Sequence, residues 1–159
     1  ITEGLVGSEM CIRDSAEELR LPPLRVLVLE DEPLLAAGLR QLLQQEGHDV
    51  VVVTTGSQVA PTWRRHLDAR QPFDVALLDL VQPTGQGGEA ALAALRREDP
   101  TAHAVVMSGY AESDAMAEHE AHGFQARLAK PFGLPALRRS LHAALVASEA
   151  LSKGLPASP

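Results

Sequence analysis

The sequence predicts an α/β protein built on one parallel sheet. From Leu24 onward, five short apolar runs rich in Val, Leu and Ala alternate with segments of helical period. Most of these runs contain almost no polar residue, which is typical of strands that helices cover on both faces. The alternation therefore predicts a doubly wound sheet with helices on each side.

The five predicted strands are four or five residues long. The first four are apolar at nearly every position, whereas the fifth is weaker because it contains Gln125 and Arg127. The predicted strands are Arg25–Leu29, Val50–Val53, Asp74–Leu78, Ala104–Met107 and Gln125–Leu128.

The first predicted helix has recognisable ends. Pro33 suits the first helical position after a polar cap at Asp31 or Glu32. Gly47 can end the helix in the left-handed conformation. Between them lies an apolar stripe formed by Leu35, Leu39, Leu42 and Leu43.

The other four helices differ in clarity. The second covers about 56–69 and contains Pro61, which a first helical turn tolerates. Leu92 and Leu95 mark a short third helix, and the fourth, at 112–121, is polar, Ala-rich and poorly anchored. The fifth has a clear apolar stripe: Leu134, Leu137, Leu141 and Leu145.

Five strands and five helices in a chain of this length predict a flavodoxin-like sheet with right-handed crossovers and strand order 2-1-3-4-5. We expect a single domain at 24–148, preceded by a leader at 1–23 and followed by a disordered tail at 149–159. In such sheets the functional site lies at the carboxyl ends of the strands.

The first 15 residues, ITEGLVGSEMCIRDS, have neither a helical nor a strand period, nor the apolar core of a signal peptide. They resemble the translated read-through of a sequencing adapter; a natural disordered leader is the alternative. In the first case the chain is a fragment of a longer protein. The single cysteine, Cys11, lies here, so no disulfide or thiolate metal site is expected in the domain.

Composition restricts the classes of partner. The formal net charge of −7 argues against a nucleic-acid or anionic-membrane surface, because both require a basic face. No apolar run approaches the roughly 20 residues that a membrane-spanning helix needs. We therefore expect no nucleic-acid and no membrane contact, and the lack of cysteine in the patterned region fits a cytoplasmic domain.

Charged and polar residues follow the predicted strands. Glu30, Asp31 and Glu32 follow the first strand, and Asp79 follows the third. Ser108 follows the fourth and Lys130 the fifth. Because the carboxyl ends of parallel strands meet at one edge, these side chains are expected to lie together.

Carboxylates gathered in one crevice repel and raise one another's pKa unless a cation intervenes. A hard divalent ion held by oxygens and waters meets this need, and Mg²⁺ is the expected one. A carboxylate such as Asp79 can attack phosphorus and form an acyl phosphate. Mg²⁺ and Lys130 would stabilise the charge on the transferred group, and the Ser108 hydroxyl could hydrogen-bond to it.

The motifs VLVLEDEP, LLDL followed by Pro83 and Gly87, VVMSGY and LAKPF resemble the receiver domains of response regulators and hybrid sensor kinases. The resemblance covers about 24–146, and the motifs occur in order, each at a predicted strand end. The SGY and LAKPF motifs are most similar to receivers at the end of hybrid histidine kinases; a stand-alone regulator is the alternative.

The resemblance implies a role for each residue at the strand ends. Glu30 and Asp31 are the acidic metal-binding pair, Asp79 is the phospho-acceptor and metal ligand, and Val81 gives a backbone carbonyl to the metal. Ser108 is the switch hydroxyl, and Lys130 is the phosphate-sensing lysine. The peptide between Lys130 and Pro131 is expected to be cis.

Three departures from the family pattern stand out. Gln82 replaces the usual methionine before Pro83, and we expect it to alter a loop contact and little else. Arg127 occupies the place of the switch aromatic, so the inward rotation of a Tyr or Phe is not possible. Val81 and Tyr110 stand where hydrolysis is tuned and are poorly suited to position water, which predicts a slowly hydrolysed phosphate.

The sequence thus predicts a phospho-acceptor domain of a two-component phosphorelay, fed by a histidine kinase or a histidine phosphotransfer protein. We expect no enzymatic activity beyond the domain's own phosphorylation and dephosphorylation. One alternative is a receiver-like interaction module that no longer switches on phosphorylation. An FMN protein is disfavoured because acids follow the first strand, and an aspartyl phosphohydrolase because Val81 replaces the second Asp it needs.

Overall fold

The computed structural model describes residues 19–83, 85–109 and 113–152. Within them lies a five-stranded sheet in which every neighbouring pair is parallel. Its order is β2-β1-β3-β4-β5, as the sequence predicts. The strands are β1 (Arg25–Leu29), β2 (Asp49–Val53), β3 (Val75–Asp79), β4 (Ala104–Ser108) and β5 (Ala126–Ala129).

No strand end differs from its predicted position by more than one residue. The small shift has a consequence, because β3 ends with Asp79 and β4 with Ser108. Both polar side chains are therefore attached to backbone that the sheet holds by hydrogen bonds, and they do not belong to the loops that follow.

Five α-helices connect and follow the strands: α1 (Pro33–Gln45), α2 (Val59–Asp68), α3 (Gly88–Glu98), α4 (Asp114–Ala117) and α5 (Leu134–Ser152). A short 3-10 helix, Gly56–Gln58, precedes α2. Pro33 begins α1 as predicted, and Gly47, with a φ of 91°, follows its end. Pro61 lies in the first turn of α2.

The sheet separates two hydrophobic cores. One face is covered by α2, α3 and α4, and includes the side chains of Leu27, Leu78, Trp63, Leu95, Met116 and Phe124. The other is covered by α1 and α5, and includes Val28, Leu77, Leu39, Leu43, Leu137 and Leu141. Burial on both faces explains why the strands are almost entirely apolar.

The fourth helix is much shorter than predicted. The segment predicted at 112–121 is described from Ser113 onward, where Asp114–Ala117 is helical and turns follow as far as Gly123. Ala115 and Met116 are the buried residues of this helix. The polar sequence after them has no apolar face to pack against the sheet, so tertiary contacts cannot stabilise further turns.

The fifth helix is longer than predicted. It continues to Ser152, four residues into the 149–159 segment that the sequence predicts as disordered. Neither Gly nor Pro occurs between Ala136 and Lys153, so nothing in the chain breaks the helix earlier. The rest of that tail and residues 1–18 of the leader lie outside the described residues, and 19–23 form no helix or strand.

Within the part of the chain that the structure describes, no helix combines the length and apolarity needed to cross a bilayer.

A buried histidine fixes the start of the sheet. His48 precedes β2 and is 6% exposed, and its Nδ1 accepts a hydrogen bond from the Leu24 backbone N–H at 3.0 Å. Burial lowers the pKa of His48 below its ordinary value of 6.5, although Glu46 and Asp74 oppose the change. The folded state thus needs the neutral ring, because a protonated ring has no acceptor at Nδ1.

This predicts a pH-dependent loss of stability that His48→Asn removes. Because the folded-state pKa is depressed, the contribution is present above pH 6.5 and is lost as the pH falls below it. Asn retains an acceptor oxygen but does not titrate. From pH 7.5 to 5, urea unfolding should show wild type losing roughly 1 kcal/mol more than His48→Asn. If the free energy of unfolding fell equally with pH in the two proteins, the role given to His48 would be contradicted.

Candidate functional site

The sheet brings four strand ends to one edge. Glu30 directly follows β1, and its backbone N–H donates to the Val53 carbonyl at 3.1 Å. Lys130 directly follows β5, and its N–H donates to the Ser108 carbonyl at 2.8 Å. Asp79 is opposite Met107 in the register of β3 and β4. The parallel backbone ladders therefore determine which side chains meet.

Three carboxylates form a cluster at this edge. Glu30, Asp31 and Asp79 each offer an oxygen, and these oxygens lie within 4.8 Å of one another. Glu30 is 2% exposed and Asp79 is 7% exposed, while Asp31 is half-buried. Glu30 Oε1 accepts the Glu32 N–H at 3.1 Å, which orients its carboxylate. The structure thus brings together the three acids that the sequence predicts as metal ligands.

Lys130 supplies the positive charge of the site. Its Nζ lies 2.5 Å from Glu30 Oε2 and 3.4 Å from Asp79 Oδ2. The ammonium therefore joins a carboxylate that follows β1 to the carboxylate that ends β3. The sequence placed Lys130 at this edge, but it did not predict the hydrogen bond to Glu30.

The charges of the cluster do not balance. Burial raises the pKa of Asp79, and Glu30 adds to the increase, although Lys130 opposes it. Burial lowers the pKa of Lys130, but its hydrogen bond to Glu30 and the charge of Asp79 outweigh this and raise it. Three carboxylates and one ammonium leave two negative charges, which is the charge that one divalent cation would neutralise.

Gln82 is buried in the site, which its sequence position does not predict. It is 6% exposed and does more than alter a loop contact. Its side-chain Nε2 lies 3.1 Å from Asp31 Oδ1 and 3.4 Å from Asp79 Oδ2. The expectation was wrong because sequence position alone does not tell whether a loop side chain points to solvent or back into the site.

Val81 contributes its backbone to the same place. Its carbonyl oxygen lies 3.4 Å from Gln82 Nε2, so this oxygen and those of Asp31 and Asp79 surround one nitrogen atom. The Val81 side chain is 54% exposed. Four oxygen groups of the kind that hard divalent cations prefer, three carboxylates and a carbonyl, therefore converge here, and this donor set fits Mg²⁺.

The loop after Asp79 is folded tightly onto β3. A Cβ atom on Gly87 would overlap the Leu80 carbonyl oxygen, and one on Gly88 would lie 3.0 Å from the Asp79 carbonyl oxygen. Only glycine permits the first of these approaches. The Gly87 that follows the LLDL motif thus allows α3 to begin against the backbone at the end of β3.

The remaining predicted residues lie at the same edge. Ser108 is 1% exposed and ends β4, next to β3. The peptide between Lys130 and Pro131 is cis, as predicted. Tyr110 lies outside the described residues.

Arg127, at the position where the family has an aromatic residue, is exposed on the edge strand β5. Its Nη1 donates to the Met116 carbonyl at 3.1 Å, which ties β5 to the short helix α4. A guanidinium group bonded to the backbone of α4 therefore stands where the resemblance leads us to expect an aromatic ring.

The comparisons with known proteins agree with this geometry. The family model for the response regulator receiver domain matches residues 26–142. The chain belongs to this family. It is therefore a receiver domain of the two-component systems, with the flavodoxin-like sheet of that family.

Two curated relatives illustrate the similarity. A response regulator receiver protein of Anaeromyxobacter is 30% identical over 111 residues, which cover 70% of this chain and 44% of that protein. The virulence sensor protein BvgS of Bordetella pertussis is 33% identical over 128 residues, which cover 77% of this chain and 10% of that protein. The chain thus matches less than half the length of either relative.

Solved structures share the fold. The receiver domain of a Pseudomonas aeruginosa sensor histidine kinase is 23% identical and has a TM-score of 0.67. The match covers 79% of this chain and 99% of that domain, whose crystal structure contains a magnesium ion coordinated in the active-site cleft.

The burial of the Asp79 carboxylate in the receiver's acid cluster predicts that Asp79→Asn stabilises the metal-free protein. The raised pKa means that folding disfavours the charged carboxylate, so neutralising it at pH 7.5 should add about 1 kcal/mol to the free energy of unfolding. The gain should shrink as the pH falls and Asp79 becomes protonated. Urea unfolding in EDTA measures both effects.

The matched control is Asp68→Asn, which removes an exposed carboxylate paired with Arg64 on α2. Its effect should stay within about 0.5 kcal/mol in either direction. A loss of stability in Asp79→Asn at pH 7.5 would show that Lys130 already compensates the acid cluster.

Proposed function

We propose that this receiver domain accepts a phosphoryl group on Asp79 in a Mg²⁺-dependent reaction and so acts in a phosphorelay. The observation that carries the proposal is the cluster of three carboxylates at the carboxyl ends of the strands, two of which, Glu30 and Asp79, contact Lys130 Nζ. Asp31, Asp79 and the Val81 carbonyl would hold the ion, with Glu30 beside them.

In the proposed reaction an oxygen of the Asp79 carboxylate attacks the phosphorus of a phosphohistidine. A phosphorus–oxygen bond forms, and the phosphorus–nitrogen bond breaks. The electron pair of the broken bond stays on the imidazole nitrogen of the donor histidine. If the imidazole leaves as an anion, this nitrogen takes up a proton from solvent. The product on this chain is an acyl phosphate. When bound at the carboxylates, Mg²⁺ would supply positive charge to the oxygens of the transferred group.

The residues of the site have separate roles in this proposal. Lys130 lies 3.4 Å from Asp79 Oδ2, close enough to transfer its hydrogen bond to a new phosphoryl oxygen. Glu30 holds the ammonium in place from the other side at 2.5 Å. The Ser108 hydroxyl would be a further donor to the phosphoryl group.

We propose a histidine kinase or a histidine phosphotransfer protein as the donor. An apolar cleft of about 220 Å³ beside Glu30 and Lys130 supports a protein donor, since Leu34 and Leu35 on its α1 wall are 81% and 46% exposed. Exposed leucines at the entrance of a charged site are typical of a surface that another protein covers. The similarity to a sensor protein and to a response regulator fits either kind of partner.

We do not propose an enzyme that acts on an external substrate, nor an interaction module that does not respond to phosphorylation. The first would act on an external substrate, whereas the acceptor here is the domain's own Asp79. The second would have no need for the buried acid cluster and its lysine, which are costly to bury without a function. Arg127 in place of the switch aromatic concerns the output of the phosphorylated state and leaves the acceptor chemistry intact.

The proposal predicts a Mg²⁺-dependent mass gain of one phosphoryl group on incubation with acetyl phosphate or phosphoramidate. Intact mass spectrometry should detect it in wild type and in Asp68→Asn, and not in Asp79→Asn or in EDTA. A folded wild-type protein that gains no mass from either donor would overturn the acceptor function. The alternative function, a receiver-like interaction module that does not switch on phosphorylation, would then replace it.

Hydrolysis of the phosphorylated form is predicted to be slow. The Val81 side chain is exposed beside Asp79 and has no group that can hydrogen-bond to an attacking water. Val81→Asn supplies such a group and should shorten the lifetime of the phosphoprotein, measured as decay of the phosphorylated mass at pH 7.5. Loss of the phosphate within seconds in wild type would contradict the prediction.

A further inference from the structure

The carboxamide of Gln82 lies among the three groups that the proposed function gives to the metal ion. Its Nε2 is 3.1 Å from Asp31 Oδ1, 3.4 Å from Asp79 Oδ2 and 3.4 Å from the Val81 carbonyl oxygen. All three neighbours are hydrogen-bond acceptors, so they require the NH₂ end of the amide and exclude its oxygen. Gln82 is 6% exposed, so the amide is enclosed in the site.

We propose that the Gln82 amide is an internal competitor of the divalent cation. The amide nitrogen is nearly equidistant from the three oxygens, and an ion that binds all three must occupy much the same position. Mg²⁺ needs its ligand oxygens at about 2.0–2.1 Å, which leaves no room for an NH₂ group among them. The ion therefore displaces the amide when it binds.

The competition follows from the charge of the cluster. Without the ion, the partial positive charge of the NH₂ group stabilises the carboxylates of Asp31 and Asp79, but it neutralises neither. A divalent cation does neutralise them, so it wins at sufficient concentration. The hydrogen bonds lost on displacement reduce its affinity. This inference rests on the proposed function. In it, competition by the Gln82 amide sets the Mg²⁺ concentration at which Asp79 can be phosphorylated.

The test measures ion affinity and requires no phosphorylation. Gln82→Met removes the amide and keeps an unbranched side chain, and Gln82→Ala removes it without adding a thioether. Gln71→Met is the matched control, because Gln71 is exposed. It precedes β3 and so lies at the amino ends of the strands, opposite the site. Mn²⁺ is titrated into each protein while electron paramagnetic resonance measures the free ion, and Mg²⁺ is then added as a competitor.

Both Gln82 variants should bind Mn²⁺ and Mg²⁺ about three- to tenfold more tightly than wild type and Gln71→Met. In EDTA, thermal unfolding should show the Gln82 variants melting below wild type, because two carboxylates lose a donor. Saturating Mg²⁺ should narrow or remove this difference.

Two results would overturn the inference in different ways. Unchanged or weaker ion binding in both Gln82 variants would show that the amide does not compete, or that its oxygen turns to join the ion; the metal site would stand. Absence of Mn²⁺ binding in every protein, wild type included, would remove the metal site itself and with it the Mg²⁺ requirement of the proposed function.

Discussion

The contact of Lys130 with Glu30 and Asp79 is the interaction on which the site depends. The ammonium contacts two carboxylates that are 2% and 7% exposed, and its positive charge offsets the cost of burying them. Residues 100 and 51 positions apart in the chain meet here because parallel strands end at the same edge. The fold thus builds the site, and the apolar strands are what hold it in register.

The surplus negative charge explains why the cation and the phosphoryl group belong to the same reaction in the proposed function. One ammonium cannot balance three carboxylates. Burial raises the pKa of Asp79 as well, and Lys130 only partly opposes this increase. A divalent cation corrects the imbalance and also provides the charge that an incoming phosphoryl group needs. Gln82 Nε2 also contacts the Asp31 and Asp79 carboxylates, so this loop residue supplies part of the compensation that the cluster has in the structure.

Most of the fold and site could be predicted from sequence because strand ends are local features. An apolar run followed by a charged residue identifies Asp79 or Lys130 without knowledge of its neighbours. The direction of a loop side chain is not local, so the burial of Gln82 was missed. The extent of α4 also depended on tertiary packing, since the segment after Met116 has helical composition but little to bury.

The acceptor assignment is tested most directly by locating the phosphate within the chain. Wild-type protein treated with acetyl phosphate and Mg²⁺ is reduced with borohydride, which converts an aspartyl phosphate to homoserine, and the peptides are sequenced by mass spectrometry. The account predicts homoserine at position 79 and at no other carboxylate. Modification at Asp31 instead, or unmodified Asp79 in protein whose intact mass shows a phosphoryl group, would contradict it.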